Sequence, residues 1–209
     1  MEATSKIRVM VVDDHPFMRV GVSTILRSQP DIDVVDEAPS AKEAIARFKA
    51  SLPDVLVLDL GLPDESGLNV IQSVRSTFPQ AKIIVLTNLE GDEDIHQALA
   101  AGASGYIVKG MDHSVLIEAV RKVHKGGRYL PRPIAKTLDL RHPDSDLTPR
   151  EKEVLSMVVK GFSNKQIGDE LGIAEPTVKR HMGAILARLE VTDRTQAVVA
   201  ALRRGLAHL

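Results

Sequence analysis

The sequence predicts an α/β domain built on a doubly wound parallel sheet of five strands, followed by a small all-α domain of four helices. Three observations support this prediction. Five short apolar runs alternate with amphipathic stretches over the first 125 residues. A segment with three prolines follows, and only helical patterns occur after it. The chain has 209 residues, which is enough for two modest domains.

The apolar runs are predicted to be strands because they are short and rich in β-branched residues. They are apolar throughout rather than alternating, which is typical of strands covered by helices on both faces. Strands that alternate with helices along the chain pair in parallel. The predicted strands are Ile7–Val12, Ile32–Val35, Val55–Leu58, Ile83–Leu86 and Tyr106–Val108.

Glycines and prolines mark the domain boundaries. Gly126 and Gly127 are expected to end the fifth helix. The first domain is therefore predicted to span residues 1–127. A linker is predicted at residues 128–146, with a possible short helix over Ile134–Leu140. The second domain is predicted to span residues 147–209.

Two capping boxes mark helix starts in the second domain. Thr148 is followed by Glu151, and Ser163 is followed by Gln166, each at the spacing that satisfies two backbone donors. Gly161 and Gly172 are expected to end these two helices. A third helix is predicted from about Glu175 to Glu190 and a fourth after Thr192.

Composition excludes several classes of protein. The chain has no cysteine, so disulfides and thiolate metal sites are impossible. No apolar stretch reaches the roughly 18 residues that a membrane span needs, and the N-terminus does not read as a signal peptide. We therefore expect a cytoplasmic protein. The net charge of −1 divides unevenly, with −5 over residues 1–125 and +4 over residues 126–209, which makes nucleic acid a candidate partner of the second domain.

Polar side chains end four of the five predicted strands. Asp13 and Asp14 follow the first strand, Asp59 follows the third, Thr87 follows the fourth and Lys109 follows the fifth. In a doubly wound sheet these carboxyl ends meet at the edge where ligands bind. Converging carboxylates are unfavourable unless a cation or a proton lies among them. A set of oxygen ligands without sulfur or nitrogen is typical of a site for Mg²⁺.

These residue types fit phosphoryl transfer to an aspartate. A carboxylate can attack a phosphoryl group and form an acyl phosphate. Mg²⁺ and a lysine can neutralise the phosphoryl charge, and a threonine hydroxyl can donate a hydrogen bond to the product. Each residue alone is readily explained as an ordinary polar strand end, but their coincidence at one edge favours the functional interpretation. His15 is better explained as the residue that precedes a helix starting at Pro16.

Residues 7–125 resemble the flavodoxin-like receiver domain of two-component response regulators. The motifs that carry the resemblance are Val11-Val12-Asp13-Asp14-His15-Pro16, Leu58-Asp59-Leu60-Gly61-Leu62-Pro63-Asp64-Glu65-Ser66-Gly67, Val85-Leu86-Thr87 and Gly105-Tyr106-Ile107-Val108-Lys109. One departure is Gly110, which stands where many receivers have proline after the lysine.

The resemblance implies a role for each residue of the pocket. It implies that Asp59 is the phosphoacceptor and that Lys109 contacts the phosphoryl oxygens. It implies that Thr87 and Tyr106 form a switch pair. For Mg²⁺ it implies ligation by Asp14, Asp59 and the Gly61 carbonyl, with Asp13 acting through water.

The third helix of the second domain has two contrasting faces. One is an apolar stripe formed by Val178, Met182, Ile185 and Leu189. The opposite face is small and basic, and could lie close in a major groove. Its residues are Arg180, Gly183, Ala184 and Ala187, flanked by Lys179 and Thr177. The alternative is an ordinary solvated face, which is usually richer in Glu, Lys and Gln.

Residues 147–209 resemble the LuxR-type helix-turn-helix domain of NarL/FixJ-type response regulators. The motifs are Leu147-Thr148-Pro149-Arg150-Glu151, Gly161-Phe162-Ser163-Asn164-Lys165-Gln166-Ile167 and Thr177-Val178-Lys179-Arg180-His181. The resemblance implies that Lys179 and Arg180 touch base edges or nearby phosphates, and that Lys165 and Thr177 touch phosphates. Two departures are Gly183, where relatives often carry a basic residue, and Ala174, where a helix-capping Ser or Thr is common.

These features together predict a transcription regulator rather than an enzyme. A sensor histidine kinase is expected to phosphorylate Asp59, and this modification is expected to switch binding to double-stranded DNA. The protein is expected to bind DNA as a homodimer when phosphorylated. One alternative is a regulator that binds DNA without phosphorylation. Another is a phosphatase of the haloacid dehalogenase type. Such phosphatases normally have a second aspartate two residues after the nucleophile, where this chain has Gly61. On the last helix Val199 and Arg203, one turn apart, offer a contact surface. The alternative is that this helix simply packs on the domain through Val198 and Leu202.

Overall fold

The computed structural model describes residues 6–89, 91–139 and 147–207. The chain forms two compact units, of which the first contains a sheet and the second contains the C-terminal helices. Residues 140–146, the second half of the predicted linker, lie outside the described residues.

Strands and helices alternate over residues 7–124. The strands are β1 (Ile7–Val12), β2 (Ile32–Ala38), β3 (Val55–Leu58), β4 (Ile83–Thr87) and β5 (Gly105–Val108). The helices are α1 (Pro16–Arg27), α2 (Ala41–Ser51), α3 (Gly67–Thr77), α4 (Asp92–Ala101) and α5 (His113–His124). All paired strands are parallel, in the order β2-β1-β3-β4-β5. The predicted doubly wound sheet is confirmed.

β2 is an edge strand and is three residues longer than predicted. It pairs only with β1, and the register shifts between Val9 and Met10. Asp36 and Glu37, near the end of β2, are polar and partly exposed, and both still pair with β1. Polar residues are tolerated on such an edge, so the sequence alone suggested an earlier end.

Both faces of the sheet are buried. Val9, Val11 and Val57 belong to a core that includes Leu26 of α1 and Val120 of α5. The alternate residues of the same strands, such as Met10, Leu56 and Leu58, are also buried, and successive strand residues point to opposite faces. The central strands β3 and β4 are apolar up to Thr87, so the polar groups that follow them lie at their carboxyl ends.

Within the described residues, five further helices follow α5. They are α6 (Arg132–Asp139), α7 (Pro149–Val159), α8 (Asn164–Leu171), α9 (Glu175–Arg188) and α10 (Arg194–Arg204). The last four form the predicted helical domain. Both capping boxes are present, at Thr148 and Ser163, and Gly172 ends α8 with φ 63°. The predicted short helix is α6, although Leu140 at its predicted end lies outside the described residues.

A buried carboxylate links α7 to the end of α9. Glu151 is 4% exposed and accepts a hydrogen bond from the Thr148 N–H at 2.8 Å. Arg188 Nε lies 3.4 Å from the same carboxylate. The predicted apolar stripe of α9, from Val178 to Leu189, is buried in the core of this unit. Within the described ranges, no helix is both long and apolar enough to cross a bilayer.

Candidate functional site

Backbone pairing brings the predicted pocket residues to one edge of the sheet. The Asp59 N–H donates to the Val12 carbonyl at 2.9 Å, and the Lys109 N–H donates to the Thr87 carbonyl at 2.8 Å. The ladder of backbone hydrogen bonds therefore continues one residue beyond β3 and β5, and it fixes the backbone positions of Asp59 and Lys109. Asp13 and Asp59 are 2% and 5% exposed. The sheet thus delivers two buried carboxylates to a common point.

Lys109 bridges these carboxylates. Its Nζ lies 2.8 Å from Asp13 Oδ2 and 2.5 Å from Asp59 Oδ2. Burial disfavours the charged ammonium, but hydrogen bonds to Asp13 and Asp59 outweigh burial, so the pKa of Lys109 is raised above its ordinary value. The lysine is therefore charged at neutral pH, and it supplies a fixed positive charge beside the predicted phosphoacceptor.

Asp14 completes a cluster that can hold a cation. One ligand atom from each of Asp13, Asp14, His15 and Asp59 lies within 4.8 Å of the others. Asp14 Oδ1 is buried and accepts no hydrogen bond, although His15 Nδ1 lies 2.6 Å away. A buried carboxylate oxygen that accepts no hydrogen bond is unfavourable, and a bound cation would satisfy it. The Gly61 N–H donates to Asp59 Oδ1 at 3.3 Å, which places the Gly61 backbone beside the cluster.

Thr87 and Tyr106 lie next to the pocket on neighbouring strands. Both are buried, and the Tyr106 hydroxyl donates to the Leu89 carbonyl at 2.9 Å. The Leu89 N–H in turn donates to Thr87 Oγ1 at 3.4 Å. The loop after β4 is therefore hydrogen-bonded to both residues of the predicted switch pair. The peptide bond after Lys109 is trans, and Gly110 has φ 94°.

Two contacts of the pocket were missed by the sequence reasoning. His15 Nδ1 lies 2.6 Å from Asp14 Oδ1, although His15 is also the residue before α1 as predicted. A Cβ added to Gly67 would lie 2.5 Å from the Asp59 carbonyl oxygen, so α3 begins in direct contact with the backbone at Asp59. Gly67 belongs to the motif that begins at Leu58, but its contact with Asp59 depends on how the intervening loop folds back.

The second predicted site lies on α8 and α9. Lys165, Lys179 and Arg180 are exposed, and Thr177 is half-buried. Lys179 Nζ lies 2.9 Å from Glu175 Oε1, one helical turn away. The structure therefore brings these predicted DNA contacts to the solvent side of the helix pair, away from the buried stripe. The predicted basic face also includes Gly183, around which an added Cβ would meet no atom within 4 Å.

The turn between α8 and α9 is closely packed. A Cβ on Gly168 would lie 2.7 Å from the Ile173 carbonyl oxygen, and the Ile173 N–H donates to the Gly168 carbonyl at 2.9 Å. Arg194 of α10 supports the other end of α8, since its guanidinium donates to the Phe162 carbonyl and to Asn164 Oδ1. This bracing by Arg194 was not visible in the sequence pattern.

On α10, two apolar side chains are exposed. Val199 is 44% exposed and Leu202 is 37% exposed, whereas Val198 packs against the core. The alternative of inward packing therefore holds for Val198 and not for Leu202. Leu202 extends the contact surface predicted at Val199 and Arg203.

Two family models match the chain. The "Response regulator receiver domain" matches residues 9–121, and "Bacterial regulatory proteins, luxR family" matches residues 145–201. The curated relatives include the response regulator protein VraR of Staphylococcus aureus, 38% identical over 205 residues that cover 96% of this chain and 98% of VraR. They also include the transcriptional regulatory protein DegU of Brevibacillus brevis, 34% identical, covering 96% and 95% of the two chains.

Solved structures agree with this match. The response regulator ChrA of a heme-sensing two-component system is 35% identical, with a TM-score of 0.58 over 97% of this chain and 99% of ChrA. RcsB of Salmonella enterica serovar Typhimurium, bound to a promoter, has a TM-score of 0.74 over 95% and 99% of the chains, but at 24% identity it shows the fold alone. The chain belongs to the two-component response regulators of the NarL/LuxR family, transcription regulators with a receiver domain and a LuxR-type helix-turn-helix DNA-binding domain.

Proposed function

We propose that Asp59 accepts a phosphoryl group from a sensor histidine kinase and that this modification switches DNA binding by residues 147–209. The observation that carries the proposal is the contact of Lys109 with both Asp13 and Asp59, beside a buried Asp14 oxygen that accepts no hydrogen bond. A structural ion pair alone would not require the third carboxylate at the same edge.

Each pocket residue would have a distinct role in the transfer of the phosphoryl group to Asp59. An oxygen of Asp59 forms a bond to phosphorus as the bond from phosphorus to the donor's nitrogen or oxygen breaks, and the leaving group takes those electrons and a proton. Asp14, Asp59 and the Gly61 carbonyl would hold Mg²⁺, with Asp13 acting through water. When bound, the ion neutralises charge on the phosphoryl oxygens. Lys109 then exchanges its contact with Asp59 for one with a phosphoryl oxygen.

We propose that this pocket accepts a phosphoryl group and retains it, rather than hydrolysing it rapidly as a phosphatase would. A phosphatase must release the phosphoryl group rapidly, and the haloacid dehalogenase type places a second aspartate where this chain has Gly61. The relatives with full-length matches are regulators of transcription or response regulators by description. We therefore assign the acyl phosphate a signalling role, with slow hydrolysis.

The partner of the second domain is proposed to be double-stranded DNA, bound by α8 and α9. Lys179 and Arg180 would face base edges or adjacent phosphates, and Lys165 and Thr177 would face phosphates. A single recognition helix reads few base pairs, so we propose a homodimer on paired half-sites, with the exposed Val199 on α10 as part of its contact. Because its proposed target is the bacterial chromosome, the protein would act in the cytoplasm. The domain boundaries 1–127 and 147–209 are proposed on the same basis.

The test of the phosphoacceptor uses a small donor. Full-length protein incubated with acetyl phosphate and Mg²⁺ should gain the mass of one phosphoryl group, and Asp59→Asn should gain none. Asp33→Asn, which changes an exposed aspartate of β2, is the matched control and should be labelled like the wild type. Stoichiometric labelling of Asp59→Asn would reject Asp59. Rapid release of inorganic phosphate would favour the phosphatase, and unchanged DNA binding after labelling would favour a regulator independent of phosphorylation.

A further inference from the structure

His15 places a nitrogen donor in a pocket whose proposed cation ligands are all oxygens. Its Nδ1 lies 2.6 Å from Asp14 Oδ1 and 3.5 Å from Asp13 Oδ1. The side chain is 66% exposed, so the imidazole closes the solvent side of a cluster whose other members lie deeper. This position is independent of the role of His15 in starting α1.

The backbone of His15 is fixed by the pocket itself. Its N–H donates to Asp13 Oδ1 at 2.9 Å, and Pro16 begins the helix at the next residue. His15 is the N-cap residue of α1, yet its side chain makes no capping hydrogen bond. The imidazole therefore does not cap the helix, while the backbone of His15 is hydrogen-bonded to the Asp13 carboxylate.

The contact with Asp14 does not have the geometry of a hydrogen bond. Asp14 Oδ1 lies 2.6 Å from the imidazole nitrogen, but this buried oxygen has no hydrogen-bond partner. Two neighbouring ligands of an octahedral ion, each about 2.1 Å from it, lie about 3 Å apart. The four candidate ligand atoms all lie within 4.8 Å of one another, which such an ion can span. A shared cation would satisfy both atoms.

We propose that His15 is an additional ligand of this pocket, and that it extends the cation range of the site from Mg²⁺ to octahedral divalent transition metals. The proposal rests on the proposed function, because it takes the cation pocket around Asp59 as given. Imidazole nitrogen is a poor ligand for Mg²⁺ but a good one for later first-row divalent ions. A pocket of three carboxylates and one imidazole therefore gains affinity for Co²⁺ without a matching gain for Mg²⁺.

The test compares two cations on the full-length protein. Titration calorimetry measures binding of Mg²⁺ and of Co²⁺ to the wild type, to His15→Ala and to His15→Gln. Loss of a group that holds a metal typically weakens its binding by roughly tenfold or more. We expect that loss for Co²⁺ in both variants and an unchanged affinity for Mg²⁺. Co²⁺ should also shift the ring protons of one histidine in the NMR spectrum of the wild type but not of His15→Ala.

The matched control is His113→Ala. His113 begins α5, its side chain is 64% exposed, and its Nδ1 lies 3.8 Å from Asp112 Oδ1, so it repeats the local setting of His15 away from the pocket. This variant should bind both ions as the wild type does. Thermal unfolding of each variant without metal checks that the fold is retained.

The outcomes separate this inference from the function on which it rests. An equal loss of Mg²⁺ and Co²⁺ binding in His15→Ala would mean that His15 only positions Asp14, and unchanged Co²⁺ binding would mean that it does not ligate at all. Either result overturns the inference and leaves the Mg²⁺ pocket intact. A wild type that binds neither ion overturns both proposals. Co²⁺ binding that depends on His15, without Mg²⁺ binding, would support the ligand and reject Mg²⁺ as the cation.

Discussion

A lysine held between two buried carboxylates defines the chemistry of the receiver at the residue scale. Burial disfavours the ammonium of Lys109, yet its contacts with Asp13 and Asp59 raise its pKa above the ordinary value. Because the folded-state pKa is raised, the stabilisation is complete below the unfolded pKa of about 10.4. It is lost only as the pH rises through the higher folded-state pKa. The side chain of Lys109 therefore stays positively charged in the pocket across the physiological pH range.

Thr87 is the residue that we expect to couple the pocket to the rest of the domain. Its hydroxyl accepts from the Leu89 N–H, and the Tyr106 hydroxyl donates to the Leu89 carbonyl. A phosphoryl group on Asp59 offers Thr87 a stronger acceptor, so the loop after β4 would be released and the equilibrium between two states would shift.

Thr87→Ala should therefore be phosphorylated as the wild type is, but its DNA affinity should not respond. Labelling is followed by intact mass and DNA binding by fluorescence anisotropy on the same samples. Thr77→Ala, at the exposed end of α3, is the control. A phosphorylation response of normal size in Thr87→Ala would exclude the proposed coupling.

At this scale the sequence predicted which residues reach the pocket, but not all of their contacts. Strand ends are predictable because apolar runs stop at Asp13, Asp59 and Lys109. The hydrogen bond from Tyr106 to Leu89 depends on the course of a loop, which carries no periodic pattern. The distance from His15 to Asp14 depends on a side-chain rotamer, so sequence reasoning assigned His15 only its place before α1.

Helix capping distinguishes α9 from its neighbours at the scale of elements. Thr148, Ser163 and Asp193 each accept a hydrogen bond from a backbone N–H three residues later, at the start of α7, α8 and α10. Ala174, at the start of α9, has no such side chain. The Thr177 N–H donates to the Ala174 carbonyl instead. Among these four helices, α9 is therefore the one without a side-chain cap.

Ala174→Ser should stabilise the protein by about 1 kcal/mol, because a serine hydroxyl can accept from the Thr177 N–H. Urea unfolding monitored by circular dichroism measures the change in the free energy of unfolding. Ser163→Ala removes an existing cap from α8 and should destabilise by a similar amount. If Ala174→Ser leaves stability unchanged while Ser163→Ala lowers it, the start of α9 cannot accommodate a cap.

The two exposed basic positions of the helix pair should behave differently on DNA. Lys165→Ala, at a proposed phosphate contact, should weaken binding to all sequences and lower the slope of log K against log salt by about one unit. Arg180→Ala, at a proposed base contact, should lose roughly 1–3 kcal/mol on the specific site only. Anisotropy titrations on operator and random duplexes at several salt concentrations separate the two. Equal loss on both duplexes for Arg180→Ala would contradict base reading.

Element bounds were predictable where a specific residue type ends the element. Gly172 ends α8 where expected, because glycine readily adopts φ 63°. α9 stops at Arg188, two residues before the predicted end, and Glu190 has φ 55° without being glycine. Packing through Leu202 was the alternative for the last helix, and this side chain is 37% exposed. The helical periodicity of apolar residues does not by itself show which of them a neighbouring helix covers.

For the whole molecule, the uneven charge between the two parts of the chain suggests that one restrains the other. The first 125 residues carry −5 and the remainder carries +4. We expect the receiver to inhibit DNA binding and phosphorylation to relieve the inhibition. If an inhibited state dominates by about 99 to 1, the apparent affinity falls about a hundredfold, and phosphorylation must supply about 2.7 kcal/mol to reach an even balance.

A fragment of residues 147–209 should therefore bind DNA more tightly than the unphosphorylated full-length protein on the same operator at the same salt. Phosphorylated full-length protein should exceed both if dimerisation adds a second half-site. Circular dichroism of the fragment verifies that its helices form. Full-length protein that binds equally well with and without phosphate, alongside a fragment that gains nothing, would disprove inhibition by the receiver.

The bridge from Lys109 to Asp13 and Asp59 has a consequence for the charge balance of the modified protein. Three carboxylates against one ammonium leave two surplus negative charges, which one divalent cation cancels. Phosphorylation replaces the single charge of the Asp59 carboxylate with an acyl phosphate carrying about two. The modified pocket is then no longer neutral, and uncompensated charge in buried surroundings is unfavourable. Any rearrangement that brings another donor to the phosphoryl group would lower this energy, so the charge imbalance created by the proposed modification would itself favour a change of conformation.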